Sequence, residues 1–212
     1  MTVAERKAAL LRVRVDGLEL RHLPQAIRED REVVLTAVSC NGLALIHAPD
    51  TFRCDREVVL AAVRSHGLAL ASSAKELQQD LEVALAATNS CGMALRHVGL
   101  DLRNDREVVL NAVRTHGLAL QYATDELQAD YQVVMAAVRS HGLALLYASQ
   151  DLQLDSELIR AASQAVGGLG IGCEAPQSSR RRKITERSRV VRFSGCVSAR
   201  SGRAQSLPAR SI

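Results

Sequence analysis

Residues 105–129 read DREVVLNAVRTHGLALQYATDELQA, and variants of the same 25 residues recur on both sides of them. Asp30, Asp55, Asp80, Asp105, Asp130 and Asp155 keep this step without a slip. Gly17, Gly42, Gly67, Gly92, Gly117, Gly142 and Gly167 keep it too. With Asp as unit position 1, Gly falls at position 13, and Glu5 opens a more degenerate first unit. The count is six full units followed by a half unit, Asp155–Gly167. A fixed period of this length is the signature of a repeat architecture.

The first half of the unit predicts a helix, here called A. Asp105 is a good N-cap residue, and Glu107 adds negative charge in the first turn, where the helix dipole favours it. Val108, Val109, Ala112 and Val113, at positions 4, 5, 8 and 9, follow helical spacing, and Leu110 widens the stripe. The glycines Gly42, Gly67, Gly92, Gly117, Gly142 and Gly167 stand where a helix would stop in the left-handed conformation.

The second half is shorter. Leu118, Ala119, Leu120 and Ala123 suggest two turns of a second helix, B. Thr124 and Ser149, at position 20, suggest a cap for a final turn anchored by Leu127 and Leu152. Pro24 and Pro49 fill position 20 earlier in the chain, and proline interrupts a continuous helix.

A helical hairpin this short cannot bury its own apolar face, so stacked neighbours must cover it. The expected fold is all-α, an α-solenoid over residues 5–167. Position 8 is Ala in every unit from Asp30 onward, as close approach of backbones requires, whereas Arg12 replaces it in the first. Arg160 at position 6 and Ser163 at position 9 break the pattern in the last unit. Such polar substitutions suit the end caps of a solenoid.

The leucine-rich pattern LxxLxLxxN/C is absent, and the period is too short for tetratricopeptide, ankyrin or HEAT units. By its consensus D-x-E-V-V-L-x-A-V-x-x-x-G-L-A-L-x-Y-A-x-x-E-L, the chain resembles the family called domain of unknown function 4116 across residues 5–167. The resemblance implies a helical repeat fold and brings no catalytic residues with it.

Composition narrows the function. There are three Tyr, two Phe and no Trp, so the core is built from Leu, Val and Ala and suits packed helices better than an aromatic ligand pocket. The net charge of +4 conceals a division. Residues 168–212 hold ten basic and two acidic side chains, which leaves the repeat body mildly acidic. That balance makes nucleic acid a poor partner for the array. The five cysteines are odd in number and lack CxxC spacing, which points to free thiols in a reducing compartment. With no apolar N-terminal stretch for a signal peptide and no run of about 18 apolar residues, the expectation is a cytoplasmic protein without a membrane span.

All six histidines occupy two unit positions: His66, His116 and His141 at 12, and His22, His47 and His97 at 18. Stacked helices lie about 8–10 Å apart, whereas zinc needs donors at about 2 Å around one point. The ladder therefore reads as structural, with position 12 able to meet the last carbonyls of helix A; no metal or cofactor is expected. Arg14, Arg64, Arg114 and Arg139 recur at position 10 on the polar arc of helix A. They read as a solvated face, or as a basic stripe for an acidic partner in which Arg64, Arg114 and Arg139 are the candidate partner-binding residues. No P-loop, HExxH or nucleophile elbow occurs. The glycines after Gly167 match a dinucleotide motif only by force, since they follow a helix instead of a strand.

These readings favour a non-enzymatic, monomeric scaffold for protein–protein interaction, with positions 10, 11, 17, 21 and 24 as variable surface. Residues 168–212, rich in Arg and Ser, read as a disordered basic tail that could bind nucleic acid or chromatin. The run Arg180-Arg181-Arg182-Lys183 would suit nuclear import. A start inside a repeat also fits a fragment of a larger multidomain protein.

Overall fold

The computed structural model describes residues 2–167, and no strand occurs among them. The expectations for residues 168–212, including the Arg180–Lys183 run, lie outside the described residues. Each unit contributes three pieces. Helix A is the longest, as in Arg31–Cys40, Arg56–Ser65, Leu81–Ser90, Arg106–Thr115 and Tyr131–Ser140. It is followed by a six-residue segment B (Gly42–His47, for example) and a single turn C (Asp50–Arg53). Helix A of each unit packs on helix A of the next, segments B stack in a second column, and each turn C rests on the helix A that follows it. The chain is a helical solenoid with nearest-neighbour packing.

Every described unit start has a reason. Asp30, Asp55, Asp105 and Asp130 each accept hydrogen bonds from two backbone N–H groups of the first turn, while Asp80 accepts from Val83 N. Asp155 accepts from Glu157 N and Leu158 N at 2.8 and 3.0 Å. These bonds satisfy donors that a helix start leaves unpaired.

Positions 4, 5, 8 and 9 form the core of the A column, with Val33, Val34, Ala37 and Val38 all fully buried. The end units reveal which way each pair faces. In the first unit Ala8 and Arg12 (positions 4 and 8) are exposed while Ala9 and Val13 are buried. In the last, Leu158 is buried but Ile159 is 44% exposed, and Ser163 is exposed. Positions 4 and 8 thus meet the preceding unit, and 5 and 9 the following one. Arg12 and Ser163 lie on those two outer faces, where Arg12 pairs with Glu19. Arg160 does not: position 6 points sideways, along the flank of the stack.

Two expectations need correction. Segment B is a 3-10 helix, with bonds such as Ala44 N to Asn41 O at 2.9 Å and Ala48 N to Leu45 O at 3.1 Å. Three residues per turn align positions 13, 16 and 19 on one face. Gly42, Leu45 and Ala48 are accordingly buried. The recurrent glycines are not left-handed helix stops either. Gly42, Gly67, Gly92, Gly117 and Gly142 open segment B, and the chain turns at position 12 in extended backbone, φ −143° at His66. The absence of a side chain serves a contact instead. A Cβ on Gly17, Gly42, Gly67, Gly92 or Gly117 would lie 2.1–2.3 Å from the carbonyl oxygen of the position-8 Ala in the next unit. Gly167 differs again, ending the last helix, Ser156–Gly167.

Two surface positions taken as variable are structural. At position 11, the hydroxyls of Ser65, Ser90 and Ser140 accept from the N–H of Gly42, Gly67 and Gly117 in the preceding unit, at 3.1–3.2 Å. At position 24 only Arg or Gln occurs, and each donates to carbonyls of segment B. Examples are Arg103 to Val98 O and Arg96 O, and Gln128 to Leu120 O and Ala123 O. Thr124 and Ser149 make no side-chain cap. Their backbone N–H groups join units instead, as in Ser149 N to Gln128 O at 3.0 Å. No described helix is long and apolar enough to cross a membrane.

Candidate functional site

One flank of the A column carries the chemistry that a partner could read. At its N-terminal edge runs a ladder of ion pairs. Arg at position 2 reaches the Asp at position 1 and the residue at position 3 of the next unit. Arg6 contacts Asp30 at 2.6 Å and Glu32 at 2.5 Å, and Arg56 contacts Asp80 at 2.9 Å and Glu82 at 2.5 Å. Arg31 repeats the pattern with Asp55 and Glu57. The arginine holds the carboxyl of Asp30, and likewise of Asp80, below the usual carboxylate range. These guanidinium groups are near half exposed, so each pair contributes little stability and mainly favours the correct register between units.

The ladder has two breaks. Leu81 replaces Arg and is 44% exposed, so Asp105 and Glu107 receive no arginine from the unit before them. That seam is joined by neutral hydrogen bonds instead. Asn111 Nδ2 donates to Thr88 Oγ1 at 3.1 Å and to Leu85 O at 3.2 Å, and Thr115 Oγ1 donates to Thr88 O at 3.1 Å. At the second break Tyr131 donates its hydroxyl to Glu157 at 2.8 Å.

Beside the ladder, successive A helices leave open grooves. The first, 710 Å³, lies between Leu81–Ser90 and Arg106–Thr115; the second, 610 Å³, between Arg106–Thr115 and Tyr131–Ser140; the third, 340 Å³, between Tyr131–Ser140 and the last helix. Positions 6 and 7 supply their floors: Leu85, Ala86, Leu110 and Asn111 in the first, Leu110, Met135 and Ala136 in the second, and Met135, Arg160 and Ala161 in the third. Arg114 and Arg139, at position 10, line the far side. Both are exposed, and neither forms an ion pair among the described residues. Arg64 stands differently: its Nη2 is 3.8 Å from Glu82 Oε1, outside the three grooves. The structure therefore joins Arg114 and Arg139 to an apolar floor and leaves Arg64 apart. Sequence reading missed the floor, because the leucines at position 6 read as core.

The histidines do not converge. His66, His116 and His141 are exposed and cap nothing with their side chains; the helix A carbonyls of Ala62, Ala112 and Ala137 are met at position 12 by the backbone N–H alone, not by imidazole. His22 and His97 accept at Nε2 from Arg21 and Arg96, each at 2.8 Å. Burial first, and neighbouring arginines second, push the pKa of His47 and of His97 down, which favours neutral rings. No cluster of three potential metal ligands occurs among the described residues. Cys40, Cys54 and Cys91 are free thiols.

Neither a curated protein nor a solved structure matches the chain. The profile of one family does, over residues 30–78, 80–128 and 105–153, and each match begins on a unit Asp and spans two successive units. That register coincides with the stacked pairs seen in the fold, and the chain belongs to the family described as domain of unknown function (DUF4116).

Proposed function

We propose that the array is a non-enzymatic scaffold for protein–protein interaction, and that its working surface is the grooved flank of the A helices. The observation that supports this reading most is the alignment of three open grooves along one side of the stack, two of them floored by Leu85, Ala86, Leu110, Met135 and Ala136. Stacked repeats offer a long surface whose side chains vary while the frame stays fixed. An apolar floor beside charged rims is the usual anatomy of a protein-binding patch.

The test is affinity capture on the immobilised full chain, quantified by mass spectrometry against two variants. Leu85→Glu/Leu110→Glu puts carboxylates into the groove floors. Ile46→Ser alters an exposed residue of segment B. Captured proteins should disappear with the first variant and persist with the second. Loss with Ile46→Ser alone would move the working surface to segment B.

A further inference from the structure

The grooves are not equivalent in charge, and one of them points to a class of partner. Position 3 is acidic in Glu32, Glu57, Glu82, Glu107 and Glu157, but in the unit between the last two it is Gln132. Position 2 of that unit is Tyr131. The 610 Å³ groove between Arg106–Thr115 and Tyr131–Ser140 is consequently lined by Arg106, Arg114 and Arg139 and by no carboxylate. Arg106 meets Asp130 at 3.2 Å, while its second partner is the neutral amide oxygen of Gln132 at 2.5 Å. Arg114 and Arg139 have no ionic partner among the described residues. By contrast, Glu82 and Glu107 line the groove before it. Leu110, Met135 and Ala136 give this cationic groove an apolar floor.

We infer that this groove binds an acidic amphipathic segment of a partner protein, a refinement that rests on the scaffold reading above. An apolar side chain enters between Leu110 and Met135, whose thioether adapts to irregular shapes. Carboxylates of the same segment meet Arg114 and Arg139, one helix spacing apart at about 8–10 Å. On a helical peptide, residues seven apart are separated by about 10 Å, which fits that gap. The chain's own residues 168–212, with ten basic and two acidic side chains, carry the wrong sign for the groove.

The experiment selects a random 12-residue peptide display library on the full chain. Enriched peptides are then measured by fluorescence polarisation against wild type, Met135→Glu, Arg114→Lys/Arg139→Lys and Arg114→Glu/Arg139→Glu. Acidic peptides with apolar residues should be enriched and should bind more weakly as salt rises. Their affinity should fall about tenfold or more with the glutamate pair, as desolvated charge partners do, and survive the lysine pair. Peptides with acids exchanged for lysine should bind the glutamate variant, an outcome that misfolding would not produce. Enrichment of neutral or basic peptides that Met135→Glu abolishes would overturn the acidic partner and leave the scaffold standing. Peptides indifferent to Met135→Glu would overturn both. A dimer seen by light scattering and removed by Met135→Glu would assign the groove to a second copy and overturn the proposal.

Discussion

Replacing Gly117 by Ala adds a single methyl group at one of the tight seams between units. The new Cβ would lie 2.3 Å from Ala137 O and 2.9 Å from both the Cβ and the N of His141. Ala137 O already accepts the His141 N–H at 2.8 Å, so it cannot swing aside without loosening that bond. Carbon–oxygen contacts settle near about 3.3 Å, so the two layers must part by roughly 1 Å. A gap of that size forfeits about a quarter to a half of the dispersion attraction of the atoms that face it. The cost should reach the upper end of overpacking penalties, about 3 kcal/mol. Gly99→Ala is the control, because the one close atom its Cβ meets is Gln79 Cγ at 2.7 Å, on a flexible side chain, while the backbone atoms Gln78 O and Gln79 Cα stay at 3.4 and 3.5 Å. That change should stay within about 0.5 kcal/mol. Urea unfolding followed by circular dichroism separates the two, since with m of about 2–3 kcal/mol/M the midpoint of Gly117→Ala should drop by roughly 1 M. Gly117→Asn completes the argument. Asn tolerates the left-handed region, so it would rescue a helix stop but not a backbone contact. Should Asn behave like wild type while Ala destabilises, the contact reasoning is wrong.

Other consequences can be measured in the same way. Asp80, held below its ordinary pKa chiefly by Arg56, contributes stability that is present above the unfolded carboxylate pKa and lost as pH falls through the folded value. The urea midpoint should decline below about pH 4, and Asp80→Asn should shrink that decline; superimposable profiles would exclude the pair as a source. Thr88→Val takes from Asn111 one of its two acceptors and should cost about 1 kcal/mol, whereas Thr88→Val/Asn111→Ala, which restores the residues common at those positions, should cost less than the sum of the single changes. Strict additivity would argue against the bond. Deleting Asp80–Asn104 removes one whole period and brings Arg56 to Asp105 and Glu107, so the protein should stay folded; deleting the shorter Asp80–Cys91 removes a helix A and should do more damage. The opposite order, seen in helical content, would refute a solenoid of 25-residue units.

The period, the N-capping aspartates and the core positions 4, 5, 8 and 9 were legible in the chain because each follows from local rules. The role of the glycines was not. A left-handed stop and a close approach both exclude a Cβ, and one sequence cannot separate the two causes. Segment B was equally ambiguous, since Leu-Ala-Leu over six residues fits either α or 3-10 winding. Ser65, Ser90 and Ser140 looked like free surface because their acceptor role depends on a glycine in another unit. A signal was available at position 24, where only Arg and Gln occur, both long donors. Of the candidate site, Arg114 and Arg139 were visible as a periodic stripe, but the floor they border exists only between helices and needed the third dimension.

The contact that Gly17, Gly42, Gly67, Gly92 and Gly117 each make with the next unit's Ala carbonyl has a consequence for how such a surface can evolve. It is made between main chains, so the rise from one layer to the next is fixed by atoms that every unit shares. Side chains on the flank can be exchanged without altering that rise. The array then works as a ruler with constant graduations, on which new recognition residues appear at known intervals. Inserting or losing a unit changes the length of the ruler and leaves its scale intact.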